Sequence, residues 1–477
     1  MLDVVKSTSP SIPFEVTDPE RIPAARYYDE EFYKLELERL WPHVWQMACR
    51  LEQIPEPGDW VEYSNVGRSV LIVRTENGVK AYHNACRHRG VPIAGGHGNE
   101  GGKPAFGNCS SQGFVCPFHG WRWNMDGENT LVYGSHHFNK RQLDPNDIRL
   151  VECRVEEAIG CAWINFDDDA PSFRETMGPL IDRLEAHNLH KLRAEWWYQT
   201  TIPANWKVAM EAFMEGYHVM TTHPQLQDAV PNMYDSRYRN DGPFSLADPS
   251  LDLAGNIEAQ LLSMQRLSEG MAGMLHAKEL EIARSLKDFK SLGIEFPEDV
   301  NQALMMWLGV VQAQITAQLQ ANGEPVPDLN TVCQTHPVNA VEFLMPHYFL
   351  LPYFSSFSAY RIRPTGPEEC IFELWSLTTF PEGQEPDPVM EPRVLPYDSA
   401  EFPPIPRQDY SNIPIQQKGL HAKGFEFMRL AENVEGMVSN YQRIIDGYLK
   451  GEDPKKLAEA TQKLGGNFDG PILELGF

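Results

Sequence analysis

The sequence predicts an α+β fold, and three observations carry that expectation. Residues 60–167 read as strands: Val70-Leu71-Ile72-Val73 and Val79-Lys80-Ala81-Tyr82 flank Asn77-Gly78, a strong hairpin signal. Residues 171–321 are dominated by helical patterns, and residues 343–379 return to strand-type composition. The elements follow in order. A helix over residues 29–45 is marked by Phe32, Leu35, Leu37 and Leu40. The strand Cys161-Ala162-Trp163-Ile164-Asn165-Phe166 is closed by Asp167-Asp168-Asp169, and a boundary falls near Ala170-Pro171. Residues 231–326 form a long helical region. The proline-rich residues 382–406 read as a surface loop, and a last helix is expected over residues 421–449. This gives an N-terminal helical segment over 1–44, a β domain over 45–170 and a larger domain over 171–477.

The chain has 477 residues, 41 basic and 66 acidic, for a formal charge of −25. That balance argues against nucleic acid and against an anionic membrane surface as partners. No apolar run of membrane-spanning length and no signal pattern at Met1-Leu2-Asp3-Val4 is present, so the expectation is a cytoplasmic protein. Cysteine use agrees: Cys49, Cys153, Cys161, Cys333 and Cys370 are scattered singly, as buried free thiols in a reducing compartment would be.

Two short stretches carry chemistry. Cys86-Arg87-His88 and Cys116-Pro117-Phe118-His119 each offer one thiolate and one imidazole. Two Cys and two His is also a zinc composition, but a C-x-H pair matched with a C-x-x-H pair is not the usual zinc-finger spacing. It fits better a [2Fe–2S] cluster in which one iron takes two thiolates and the other two imidazoles, a ligand change that raises the reduction potential.

The flanking residues, Cys86-Arg87-His88-Arg89-Gly90 and Cys116-Pro117-Phe118-His119-Gly120-Trp121, resemble the two loops of a Rieske domain, and those of Rieske oxygenases more closely than those of respiratory-chain Rieske proteins. The latter add a disulfide pair within these loops, which Cys109 alone cannot supply. The stretch between His88 and Cys116 is longer than is usual in the family. It is Gly-rich (Gly95, Gly96, Gly98, Gly101, Gly102) and reads as an enlarged surface loop, a thermodynamically tolerable insertion that leaves the ligands intact. Inside it, Gly96-His97-Gly98-Asn99-Glu100-Gly101 satisfies a dinucleotide-site pattern, but Gly102-Lys103-Pro104 follows in place of a helix, so the match is set aside.

A second constellation runs from Glu211 through Glu215, His218 and His223 to Pro224. Glu211, Glu215 and His218 would share one face of a continuous helix. His218 and His223, five apart, would sit about 140° off a common face, so they converge on one metal only if the helix ends or widens between them. Thr221-Thr222 and Pro224 favour an ending there. The segment resembles the mononuclear-iron motif of the same oxygenases. The resemblance implies His218 and His223 as iron ligands. It implies Glu215 as the acidic residue, usually Asp, that joins an iron-bound histidine to a Rieske histidine, His119, of a neighbouring subunit. The third ligand of a two-histidine, one-carboxylate triad comes in the family from a C-terminal helix. The most direct alignment puts Asn433 at that place, with Glu435 or Glu432 as the alternatives after a small shift.

The family further implies a Rieske β domain followed by a helix-grip catalytic domain, with an antiparallel sheet around a long C-terminal helix. It implies a [2Fe–2S] Rieske cluster, mononuclear non-haem Fe(II), a ferredoxin or flavin reductase as electron donor, and a head-to-tail homotrimer with or without a β subunit. The expected function is a terminal oxygenase that uses O2 to hydroxylate an aromatic or alicyclic substrate. A Rieske demethylase and a Rieske electron carrier without oxygen chemistry are the alternatives. Phe213, Met214, Met220 and residues 346–354 are expected to line an apolar pocket. There His347 either meets a polar substituent or is a satisfied strand histidine.

Overall fold

The structure is a computed structural model that describes residues 11–95, 105–240, 243–271 and 273–477. The Gly96–Gly101 pattern and most of the Gly-rich insertion lie outside those residues. The β region holds a seven-stranded antiparallel sheet, in the order Gln46–Arg50, Cys161–Asn165, Glu152–Ala158, Gly78–His83, Arg68–Thr75, Asp59–Asn65 and Phe106–Asn108. The expected hairpin forms one residue early: Thr75 pairs with Gly78, so Glu76-Asn77 makes the turn and Gly78 opens the strand at φ 119°. Period-two alternation divides the strand Arg68–Thr75 between two cores. Val70 and Ile72 pack with Val61, Tyr63, Ala162 and Ile164, whereas Leu71 and Val73 pack with Trp60, Tyr82 and Trp123 beneath Cys86 and Cys116. A second small sheet, Phe114–Val115, Arg122–Trp123 and Asn129–Leu131, carries the second Cys/His loop.

The larger region is built on a six-stranded sheet ordered Glu342–Leu344, Tyr348–Pro352, Phe357–Gly366, Glu369–Thr378, Arg193–Ile202 and Arg393–Val394. All its pairings are antiparallel except the last. Alternation again sets the two faces. Tyr360 and Phe372 join Phe213 and Phe349 in an aromatic group on the helical side. Arg361, Arg363 and Glu373 point the other way, onto the first sheet. Arg361 donates to Glu373 at 2.7 and 2.8 Å and to the Met47 and Ala48 carbonyls at 3.1 and 2.8 Å, while Arg363 donates to the Ser64 carbonyl at 2.6 Å.

The N-terminal segment packs on the larger region. Strand Arg21–Pro23 pairs with Phe427–Arg429, and helix Glu30–Arg39, capped by the Asp29 carboxylate, sends Glu36 into a fully buried ion pair with Lys207 at 2.6 Å. Between the strands, helices Leu253–Met271, Ala277–Ser285, Val300–Ala321 and Leu329–Thr335 make a core of their own around Ile257, Met264, Leu304, Trp307 and Val311.

Two expectations near the C-terminus are corrected. The helix expected over 421–449 is Gly436–Lys450, with strand Phe427–Arg429 ahead of it. The proline-rich loop hides the start of helix Pro404–Leu420, whose Ile405, Asp409, Tyr410, Ile413, Gln417 and Leu420 are buried at helical spacing. Pro404 falls in the first turn, where a missing N–H costs nothing. Tyr410 meets Phe372 of the sheet at 4.9 Å between ring centroids. Gly270 lies so close to this helix that an added Cβ would come within 2.8 Å of Ile405 Cδ1.

Candidate metal centres

The two Cys/His loops share one backbone design. The Cys86 N–H donates to the Val91 carbonyl and the Gly90 N–H to the Cys86 carbonyl, both at 2.9 Å; the Cys116 N–H donates to the Trp121 carbonyl at 2.8 Å and the Gly120 N–H to the Cys116 carbonyl at 3.0 Å. Each loop turns on its glycine, at φ 78° for Gly90 and 70° for Gly120, a conformation that glycine adopts without strain. The loops bring Cys86 and Cys116 together in the core and set the His88 and His119 rings 4.6 Å apart. His88 stacks on Trp121 at 5.0 Å and 6°. Its Nδ1 is buried without a hydrogen-bond partner, as a ring nitrogen reserved for a metal is. Burial, aided by the charges of His119 and Arg89, lowers the His88 pKa and keeps the imidazole neutral; burial pushes the Cys86 thiol up to about 11. A thiolate at that place needs a cationic partner such as iron. The residues fit the cluster. The tip of this region is open to solvent, with Phe118 56% exposed beneath the Arg89 guanidinium.

The second centre is assembled by a break in the chain. Helix Trp206–Glu211 stops at Glu211, so the shared helical face expected for Glu211, Glu215 and His218 does not form. Glu211 turns into the core, where it accepts from Tyr27 at 2.9 Å and from Gln442, and burial raises its pKa to about 7. A one-turn helix, Val219–Thr222, follows, and His223 leaves it at φ −121°, ψ 60°. The two imidazoles thereby face each other with centroids 5.3 Å apart.

Their third companion is Asp409. Its Oδ1 lies 3.0 Å from His223 Nε2 and 3.8 Å from His218 Nε2, and one donor atom from each of the three residues lies within 4.8 Å of the others. Asn433 is not there. It is exposed in the turn before helix Gly436–Lys450, alongside an exposed Glu432, and the Glu435 carboxylate accepts from the Ala431 N–H at 2.7 Å. The placement at Asn433 is therefore corrected: the carboxylate that meets the histidines sits on the preceding helix.

Both rings are also held from behind. His218 Nδ1 lies 2.8 Å from Glu215 Oε1, and its backbone N–H donates to Glu215 Oε2 at 2.9 Å. His223 Nδ1 lies 2.8 Å from Gln408 Oε1. Burial opposes charge on His218, but the hydrogen bond and charge of Glu215, with Asp409 behind them, hold its pKa above the usual histidine value. With each Nδ1 engaged, each Nε2 is left for a metal, and two imidazoles with one carboxylate suit non-haem Fe(II) with open positions.

The expected pocket residues divide. Phe213 is buried in the aromatic group and Met214 in the core, while Met220 is half-buried on the turn of helix between the two histidines. His347 is no pocket residue. It sits in the turn of a hairpin, fully buried, accepts from the Met47 N–H at 3.0 Å and bonds the Ile362 carbonyl at 3.1 Å. Burial, with the Arg361 charge adding to it, lowers its pKa to about 3, so it stays neutral.

The fold and these two centres define an iron–sulfur protein with a second, mononuclear non-haem iron site. The Rieske [2Fe-2S] domain family matches residues 44–136, and the ring hydroxylating alpha subunit (catalytic domain) family matches residues 182–451. The chain belongs to the ring-hydroxylating alpha subunit family. Among its curated relatives, the carnitine monooxygenase oxygenase subunit of Escherichia coli (strain K12) is 29% identical over 212 residues, 44% of this chain and 54% of the relative. The large oxygenase component of the naphthalene 1,2-dioxygenase system of Pseudomonas aeruginosa is 33% identical over 201 residues, 41% of this chain and 42% of the relative. The chain thus matches about half the length of these relatives. Two solved structures share the fold. A quaternary ammonium Rieske monooxygenase in complex with L-carnitine has a TM-score of 0.56 at 14% identity, over 92% of this chain and 99% of that one. Naphthalene 1,2-dioxygenase with indole bound has a TM-score of 0.60 at 18% identity, over 92% and 94%. Among the described residues no helix is long and apolar enough to cross a membrane.

Proposed function

We propose that this chain is the terminal oxygenase component of a multicomponent system, with His218, His223 and Asp409 as the ligands of its mononuclear iron and Cys86, His88, Cys116 and His119 as those of its cluster. The observation that carries the reading is the convergence of His218, His223 and Asp409, with Glu215 hydrogen-bonded behind His218, in a chain that also holds the Rieske quartet. When bound, the mononuclear iron supplies O2 activation, and the cluster supplies electrons one at a time. The protein's own part is placement. Glu215 holds the His218 ring through one carboxylate oxygen and its backbone N–H through the other, and offers an acidic bridge close to the surface, beside Tyr217, which is 52% exposed. Glu435 lies near enough to both Glu215 and Asp469 for their charges to interact. The exposed tip around His119, with Arg87 and Arg89, is complementary in charge to that acidic patch. In a head-to-tail trimer, His119 of a neighbouring copy would meet Glu215, and a ferredoxin or flavin reductase would load the cluster.

An aromatic or alicyclic substrate is favoured by the relative named as the large oxygenase component of a naphthalene 1,2-dioxygenase system. A quaternary ammonium substrate is the second reading, favoured by the relatives named as carnitine monooxygenases. The free cysteines fit a cytoplasmic setting.

The test is a screen of both substrate classes with a surrogate reductase, counting hydroxylated or dealkylated product against peroxide. Product coupled to O2 uptake supports the oxygenase; cluster reduction and reoxidation without product for either class would make the chain an electron carrier. The bridge has its own expected outcome. With both metal centres loaded from excess Fe(II), Glu215→Gln should slow substrate-dependent oxidation of the reduced cluster by about tenfold or more, because the charge-assisted link is lost. Stopped-flow absorbance of the cluster in a single turnover measures this, and a wild-type rate would remove Glu215 from the route.

A further inference from the structure

We propose that Gln408, held in orientation by Gln225, is a positioning residue that sets the affinity of the mononuclear site for iron through His223. The inference rests on the reading that His218, His223 and Asp409 hold that iron. Gln408 and Asp409 are consecutive on one helix, and between them they grip both ends of a single imidazole. Asp409 Oδ1 is 3.0 Å from His223 Nε2, and Gln408 Oε1 is 2.8 Å from His223 Nδ1.

The two iron-site histidines are backed by chemically different partners. Glu215 behind His218 is a carboxylate, which only accepts, so a proton is kept on Nδ1 and the Nε2 lone pair is left for the metal. A glutamine amide is not fixed in this way. Turned over, it would present its NH2 to His223 Nδ1, which would then accept, and the ring proton would sit on Nε2 in the place of the metal. Gln225, two residues beyond His223, opposes a turn of Gln408 on its own. Its Nε2 donates to Gln408 Oε1 at 2.8 Å, and Gln408 Nε2 donates back to Gln225 Oε1 at 3.2 Å. This reciprocal pair can reverse only if both amides turn together. Gln225 thus acts on the metal from two side chains away.

The experiment is an anaerobic Fe(II) titration of the full chain, with its cluster loaded and its mononuclear iron removed, against a chromophoric chelator. The Rieske absorption spectrum and the melting temperature report folding in each variant. Gln408→Ala and Gln225→Leu should each weaken Fe(II) binding by roughly 10–100-fold, the usual effect of losing a partner behind a ligating histidine. Gln408→Glu should bind at least as tightly as wild type, since a carboxylate accepts in either orientation. Wild-type affinity in Gln408→Ala, or equal weakening in Gln408→Glu, would overturn the role of Gln408, and wild-type affinity in Gln225→Leu would overturn that of Gln225. Asp409→Ala separates the two levels. If it retains wild-type affinity, the site reading fails and this inference with it. If it alone loses iron, the site stands and the amide clamp falls.

Discussion

Asp409→Ala should strip the mononuclear iron, and with it the proposed oxygenase activity, while leaving the Rieske cluster in place. Of the three side chains that converge, Asp409 supplies the only carboxylate, and its side chain is 4% exposed between two histidines. Without it, two neutral imidazoles remain to hold a dication that prefers a mixed nitrogen and oxygen set. The loss should exceed the roughly 10–100-fold that follows removal of a partner behind a ligand. Metal analysis should fall from about three irons per chain to about two, those of the cluster. The visible spectrum should not change, because Cys86, His88, Cys116 and His119 belong to a different core from helix Pro404–Leu420. Asn433→Ala and Glu435→Gln should keep their iron, since Asn433 is exposed and Glu435 accepts from the Ala431 N–H.

The second large effect is on stability. Arg361→Met should destabilise the protein by about 3–5 kcal/mol, because Glu373, fully buried, loses its main counter-charge. The pair are direct cross-strand partners, and Arg361 also donates to the Met47 and Ala48 carbonyls on the edge strand of the other sheet. The same change should loosen that sheet from the larger region, read as a lower first thermal transition and faster proteolysis between the two. Removing both charges, in Arg361→Met with Glu373→Leu, should recover part of the loss, since the unpaired buried charge is gone. The pH dependence has a definite sign. Burial alone would raise the Glu373 pKa, but the Arg361 and Arg363 charges bring it down to about 2 from an ordinary 4.5. A carboxylate whose folded pKa is depressed contributes stability that is fully present above the unfolded value and lost as pH falls through the folded one. The contribution of Glu373 is therefore lost between about pH 4.5 and pH 2. A double variant no less destabilised than the single one would contradict the account of a desolvated charge.

What the sequence revealed and what it hid divide along one physical line. The Rieske quartet and the histidine pair are local patterns: Cys86 and His88, Cys116 and His119, and His218 and His223 each lie within a few residues, so short stretches of sequence carry the family resemblance that marks them. Asp409 lies far along the chain from His223, behind Pro403-Pro404-Ile405-Pro406, a run that reads as loop although Pro404 opens a helix. The expected ligand Asn433 was placed on a helix that starts only at Gly436, after the residue in question. A signal was available: Ile405, Asp409, Ile413 and Leu420 keep a helical period, with one carboxylate on the apolar face, a costly place unless it meets a metal or a donor. His347 misled for the opposite reason. Its partners, the Met47 N–H and the Ile362 carbonyl, are fixed by how two sheets pack, which no local pattern records. Glu211, spaced to share a face with Glu215, was turned away by the end of its helix toward Tyr27 and Gln442.

On the proposed assignment one iron is held by His218, His223 and Asp409. Anomalous diffraction at the iron absorption edge, from crystals of the fully loaded protein, addresses it directly. The expected map holds a single-ion peak bonded to the Nε2 atoms of His218 and His223 and to the Asp409 carboxylate, separate from a two-iron peak among Cys86, Cys116, His88 and His119. A peak beside Asn433 or Glu435, or none between the two histidines in protein that turns over substrate, would contradict it.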